Sequence, residues 1–342
     1  MISGQRKNSA LIHVLLYLHG FVILLLLAYL GKFLFIPLFF SFLIAMFLYP
    51  LCSWFERHGL NRLASSILCV FICVLLCSVI IYFVGSQFQR FLKDIPFLKD
   101  KLNELLQHLQ NWLKQNYDVN EDAQINYVNK YLDAFISAAG FTVTSFIAIL
   151  LFITLSIFFI FYILFYRKPL NDFLLSFFKI SYRKKIAGIS SMVHQTTVNY
   201  VKGLLTEIFI LIVLSSITLL ILGIKYAILM AFFAGIFNIV PYIGIYTAAL
   251  LNMLITIASG NGAKSLEVLL VFLIIHIIDS NLITPVIIGN RIKINPFLTL
   301  IAVIAGKLVW GIPGMFLFIP LTAIINIIIE KSSGIQFSEL PD

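Results

Sequence analysis

Two carboxylates, Glu207 and Asp279, stand within long apolar runs of this sequence. An ionisable group in a segment that must cross hydrocarbon is costly, and such groups mark ion, proton or solute pathways. His276 lies three residues before Asp279 on the same helical face, so the pair is placed to share a proton. The competing reading puts Asp279 near the interface as a cap or anchor. Glu207 follows Lys202 and Gly203 by about one turn, and an interfacial pairing with Lys202 competes there with proton coupling. Asn238 and Asn281 both donate and accept hydrogen bonds, which suits a hydroxylated neutral solute or a desolvated cation. Tyr242 offers a ring for stacking on a solute, or a buried aromatic brace. Lys307 would hold an anion, neutralise one of the two acids, or snorkel to the interface. Asn252 and Asn326 read as contacts between helices.

The other chemistry-bearing residues point to less. Cys69, Cys73 and Cys77 recur every four residues and share one helical face, with Cys52 apart from them. Thiolates in hydrocarbon are expensive, so small apolar side chains facing lipid or a neighbouring helix explain them better than a metal site. Neither H-E-x-x-H nor G-x-S-x-G occurs, nor the G-x-x-x-x-G-K-[ST] loop of an ATP-driven pump. The sequence therefore supplies no catalytic residue, no metal ligand set and no call for a cofactor.

The elements that must carry these residues are membrane helices. Of 342 residues, 61% are hydrophobic and 11% charged, against about 25% charged in soluble chains. So little charge cannot coat a water-exposed surface, and the mean hydropathy of +1.02 agrees. The 24 Lys and Arg against 15 Asp and Glu give +9. That excess reads as topology signal in cytoplasmic loops rather than as a nucleic-acid surface. The expected fold is an all-α polytopic membrane protein of about eight segments in a lipid bilayer.

Charge-free runs divide the chain. Residues 1–84 hold three spans, the first resembling a signal peptide but too long and without a small-residue cleavage site. Residues 85–140 form an extracytoplasmic segment of mixed charge. Its Leu98, Leu102, Leu105, Leu109 and Trp112 make a heptad seam, suited to the membrane surface or to a subunit contact. Residues 141–166 are a fourth span and 167–202 a loop. That loop carries Arg167, Lys168, Lys179, Arg183, Lys184, Lys185 and Lys202 against the single acid Asp172. The positive-inside rule puts it in the cytoplasm, and counting back puts the N-terminus there too. Residues 203–329 form a core and 330–342 a cytoplasmic tail.

Within the core, two apolar runs are broken. Tyr226–Ala258 is interrupted at Asn238 to Gly244 by Pro241, and Phe297–Ile329 is interrupted by Gly306, Gly311, Pro313 and Gly314. Proline and glycine free backbone groups, which at membrane depth must be buried in protein or line a wet cavity. Each break follows a span with an acid, Glu207 or Asp279, and charge counting gives the two units opposite orientations. Inverted repeats with broken helices belong to secondary transporters, whose breaks lie at the binding site.

Four motifs in order carry a resemblance. They are Val240-Pro241-Tyr242-Ile243-Gly244, Asp279-Ser-Asn281-Leu-Ile-Thr-Pro285-Val-Ile-Ile-Gly289, Ile294-Asn-Pro296, and Gly311-Ile-Pro313-Gly314-Met315 with Pro320. Together they resemble the signature of the autoinducer-2 exporter family, strongest over residues 200–325 and extending to nearly the whole chain. The resemblance implies a bacterial inner-membrane permease, a homo-oligomer (a pentamer) and an elevator-like movement. It also implies export of the quorum-sensing furanone autoinducer-2 in some members and Na⁺ or Li⁺/H⁺ antiport in others. His276 and Asp279 stand where the family often has a Gln ahead of the Pro285 motif, and Lys307 where a small residue is common.

The reading is a secondary transporter of a small polar solute, working by alternating access about a site at the two breaks. Its rivals are a monovalent cation/proton antiporter and a non-transport scaffold built on the Leu98–Trp112 seam.

Overall fold

The structure is a computed structural model that describes residues 19–20, 22–116, 143–239, 244–259, 262–287 and 295–332, and the regular structure within them is helical. Helix α1 is Lys32–Arg57, α2 Arg62–Asn116, α3 Val143–Phe165, α4 Arg167–Ser176 and α5 Ile180–Ile221. Then come α6 Ala227–Phe237, α7 Gly244–Ala258, α8 Gly262–Ile278, a π-helical turn Asp279–Ile283, α9 Thr284–Ile287 and α10 Pro296–Ser332. Among the described residues six helical stretches are long and apolar enough to cross a membrane, and α6 and α7 are shorter apolar helices. This is a polytopic α-helical membrane protein.

Two helices run further than expected. The third span and the segment after it form one helix, α2, of 55 residues, about 80 Å long and far beyond a hydrocarbon core of about 30 Å. The heptad residues Leu98, Leu102, Leu105, Leu109 and Trp112 lie on its backbone, and their side chains lie outside the described residues. The basic stretch 167–202, expected as a loop, is helical in α4 and the first half of α5. Pro169 falls in the first turn of α4, where a missing N–H breaks nothing. The Lys, Arg, Ile and Ala that follow are compatible with helix.

The chain divides into two compact units. One holds Met1–Cys69, Leu151–Val198 and Ile292–Asp342. Here α1 packs on α10, with Phe39 5.4 Å from the Trp310 ring and Phe40 stacked at 5.5 Å on Phe316. The indole of Trp310 donates to the Ala28 carbonyl at 2.9 Å. The Arg167 guanidinium pairs with Glu56 and lies 5.0 Å from the Tyr49 ring centre.

Within this unit α10 is a hairpin. Gly311 takes φ 67°, and the chain turns back so that Gly306 and Gly314 meet backbone to backbone. A Cβ on either would collide with the other's carbonyl. The second expected break is therefore a helical reversal closed by glycine contact, with Pro313 just past the turn.

The other unit holds Val70–Leu150 and Asn199–Arg291. Its centre is the cluster of Leu219, Met230, Ala231, Ala248, Val268 and Phe272, contributed by α5, α6, α7 and α8. Helix α5 stops at Gly223, φ 68°, with the Ile224 N–H returned to the Leu219 carbonyl at 3.0 Å. Lys264 donates to the Leu222 carbonyl at 2.6 Å. Lys225 pairs with Asp94 at 2.7 Å, and that carboxylate holds the ammonium above its usual pKa range.

Candidate functional site

The second unit gathers a polar cluster around Glu207 and Asp279, each only 5% exposed. Glu207 projects from the second half of α5. Asn238 caps α6, its own N–H returned to the Ala234 carbonyl at 3.1 Å, while its side-chain Nδ2 donates to Glu207 Oε1 at 3.2 Å. Thr284 Oγ1 donates to the same Oε1 at 3.0 Å and lies 3.5 Å from Asp279 Oδ1. The two carboxyl groups also stand against one another. Neither ionised oxygen can donate, so the pair favours a proton or a cation held between the two acids. Among the described residues no Lys or Arg pairs with either acid. Lys202 is exposed instead, its carbonyl taken by Thr206 Oγ1 at 2.8 Å.

Local sequence explains how these groups converge. Pro285 has no N–H, so the helix cannot pair the Asn281 carbonyl in the ordinary register. The chain widens into a π-helical turn, and the Thr284 N–H bonds back to the Asp279 carbonyl, five residues away. In an α-helix, positions five apart point about 140° from each other. The wide turn brings Thr284 round to the face of Asp279. Such turns interrupt helices frequently at functional sites.

At the first break, Gly244 approaches the Phe237 carbonyl so closely that any Cβ would overlap it. This contact lets α7 start beside the end of α6, where Asn238 sits. Pro241 and Tyr242, between the two helices, lie outside the described residues, as does Gly289.

The remaining candidates are placed elsewhere. His276 Nε2 is 3.3 Å from the Tyr246 hydroxyl, with the rings 5.2 Å apart, and His276 makes no hydrogen bond to Asp279. Asn281 turns back on its own helix, donating to the Ile277 carbonyl at 2.8 Å. Lys307 is an exposed residue of α10, in the other unit; Gly306, Gly311, Pro313 and Gly314 lie on the same helix, Gly306 and Gly314 buried. Asn252 is fully enclosed and donates to the Met230 carbonyl at 3.4 Å, a link between α6 and α7. Cys69 is buried, Cys73 half-buried and Cys77 exposed, so the cysteine face passes out of the packed interior along α2.

Sequence reading missed Thr284. Its signal was the Thr-Pro pair five residues after Asp279, legible only if the proline is taken to widen the turn before it.

Membrane-spanning helices that enclose paired acids beside a helix break and a π-helical turn have the construction of a membrane transporter. Comparison with known proteins agrees. The family model described as AI-2E family transporter matches residues 18–334, and the chain belongs to that family. It is 26% identical over 306 residues to YrrI of Bacillus subtilis (strain 168), provisionally named a transport protein, covering 86% of each chain. It is 21% identical over 324 residues to YhhT of Escherichia coli (strain K12), also provisionally named a transport protein, covering 94% of this chain and 91% of that one. It is 23% identical to the AI-2 transport protein TqsA of Escherichia coli (strain K12) over 303 residues, covering 88% and 87%.

Proposed function

We propose that this protein is a secondary transporter of the bacterial inner membrane that exports a small polar solute such as autoinducer-2, and that it is a carrier without enzymatic activity. The observation that carries the reading is the enclosed cluster of Glu207, Asp279, Thr284 and Asn238. Two acids, a hydroxyl and an amide offer donors and acceptors to a hydroxylated solute. A proton held by the two acids would give the cycle a coupling ion. The membrane family and the relative named for AI-2 transport support the solute class.

A second reading, exchange of Na⁺ or Li⁺ for H⁺, is favoured by one observation. Glu207 and Asp279 close on a single hydroxyl, an oxygen-rich setting in which a small cation could replace the proton.

One reconstitution tests both. Proteoliposomes are loaded with labelled autoinducer-2 or with a pH-sensitive dye, using parent, Asp279→Asn and Glu207→Gln proteins. Proton-driven efflux of the solute, lost in both variants, supports the export reading. A pH change on adding Na⁺ or Li⁺, lost in the same variants, makes antiport the primary activity. Neither response from folded parent protein overturns both.

A further inference from the structure

Helix α4, Arg167–Ser176, begins one residue after Tyr166, where the candidate span ending at Phe165 stops. None of its residues is buried. Leu170, Phe173, Leu174 and Phe177 are all exposed, and their spacing of three, one and three places them on one helical face. Ile180, at the start of α5, is 81% exposed. A helix that leaves a span, turns and shows a large apolar stripe is placed to lie in the membrane interface with that stripe towards the acyl chains.

The surrounding charge specifies which membrane surface. Lys168, Lys179, Arg183, Lys184 and Lys185 are all exposed, and Asp172 is the only acid between residues 167 and 202. Arg167, which pairs with Glu56, and Lys185, which also makes a contact within the protein, are excluded from this set. Lys179, Arg183 and Lys184 stand at the start of α5, whose first turn carries no acid, so the helix dipole adds to the same sign.

We propose that α4 and the first turns of α5 form a binding surface for anionic phospholipid, with the Leu170–Phe177 stripe in the acyl boundary and Lys179, Arg183 and Lys184 holding headgroup phosphates. This surface lies outside the carboxylate cluster, and the proposal does not depend on the solute. Charge complementarity selects the occupant: a neutral protein partner would use the stripe but leave the basic row without a counter-charge, whereas the anionic leaflet meets both.

The test uses the full-length protein in bilayers containing equal fractions of phosphatidylcholine and phosphatidylglycerol, with one or the other brominated. Tryptophan is introduced by Phe173→Trp, at a position 63% exposed, and quenching is read as the difference from parent. Quenching of the new indole by brominated lipid is expected, with brominated phosphatidylglycerol favoured roughly fivefold at equal fraction. That preference should vanish when Lys179, Arg183 and Lys184 are all changed to Gln, with retained quenching showing that the helix still lies in the interface. Equal quenching by the two lipids, or a preference that survives the Gln variant, overturns the anionic-lipid site. No quenching by either would mean that protein covers the stripe, and overturns the proposal as well.

Discussion

Thr284 ties the two acids together, because its single hydroxyl reaches Glu207 at 3.0 Å and Asp279 at 3.5 Å. Valine has nearly the same shape and no hydroxyl, so Thr284→Val should leave the fold intact and slow transport. A hydrogen bond to a charged group contributes about 1.5–3 kcal/mol, which sets an expected loss of roughly tenfold to a hundredfold in initial efflux rate. Thr284→Ser keeps the oxygen and should stay close to parent. Equal rates in the Val variant and parent would show that the hydroxyl takes no part in the transport step. At this scale the sequence revealed the costly groups but not all of their partners. Glu207, Asp279 and Asn238 were legible as polar residues in apolar runs, and the structure brings them together. His276 and Asn281 carried the same signal and sit on other partners, since a helical face seen in one chain does not say which neighbour packs on it.

At the scale of elements, breaks in the apolar runs were visible as Pro and Gly clusters, and the two helical hairpins follow from them. Their internal contacts were not visible, because a close backbone approach depends on where the second helical limb of the hairpin returns. Gly244 shows the difference: its Cβ position is occupied by the Phe237 carbonyl. Gly244→Ala must push α7 away from the end of α6, and overpacking of this kind costs about 1–3 kcal/mol. A lower unfolding midpoint in detergent is the expected outcome, whereas Gly262→Ala, which meets nothing within 4 Å, should leave the midpoint unchanged. Equal midpoints for the two variants would mean that the hairpin is not closed at Gly244. The π-helical turn was illegible for a different reason. Pro285 announces a disturbed helix, but a kink and a widened turn look identical in sequence, and only the turn brings Thr284 round to Asp279.

At the scale of the whole molecule, the charge pattern predicts which helix ends share a side, and two ion pairs bear on that. Span counting puts the end of α1 and the start of α4 together in the cytoplasm, and Glu56 pairs with Arg167. It puts the far ends of the Arg62–Asp94 span and of α5 together outside, and Asp94 pairs with Lys225 at 2.7 Å. Charged groups that pair directly must face the same aqueous side, so each pair supports the parity of the count within its own unit. Parity does not give direction. Direction rests on the basic residues from Lys168 to Lys185, which the positive-inside rule holds in the cytoplasm. We therefore expect a cytoplasmic N-terminus, with residues 117–142 outside. In protein whose four cysteines are replaced by Ser, Asp122→Cys should react with a membrane-impermeant maleimide in intact cells. Lys184→Cys should react only after permeabilisation. The reverse pattern would invert the topology while leaving both ion pairs in place. It would also turn the anionic-lipid surface to the opposite leaflet.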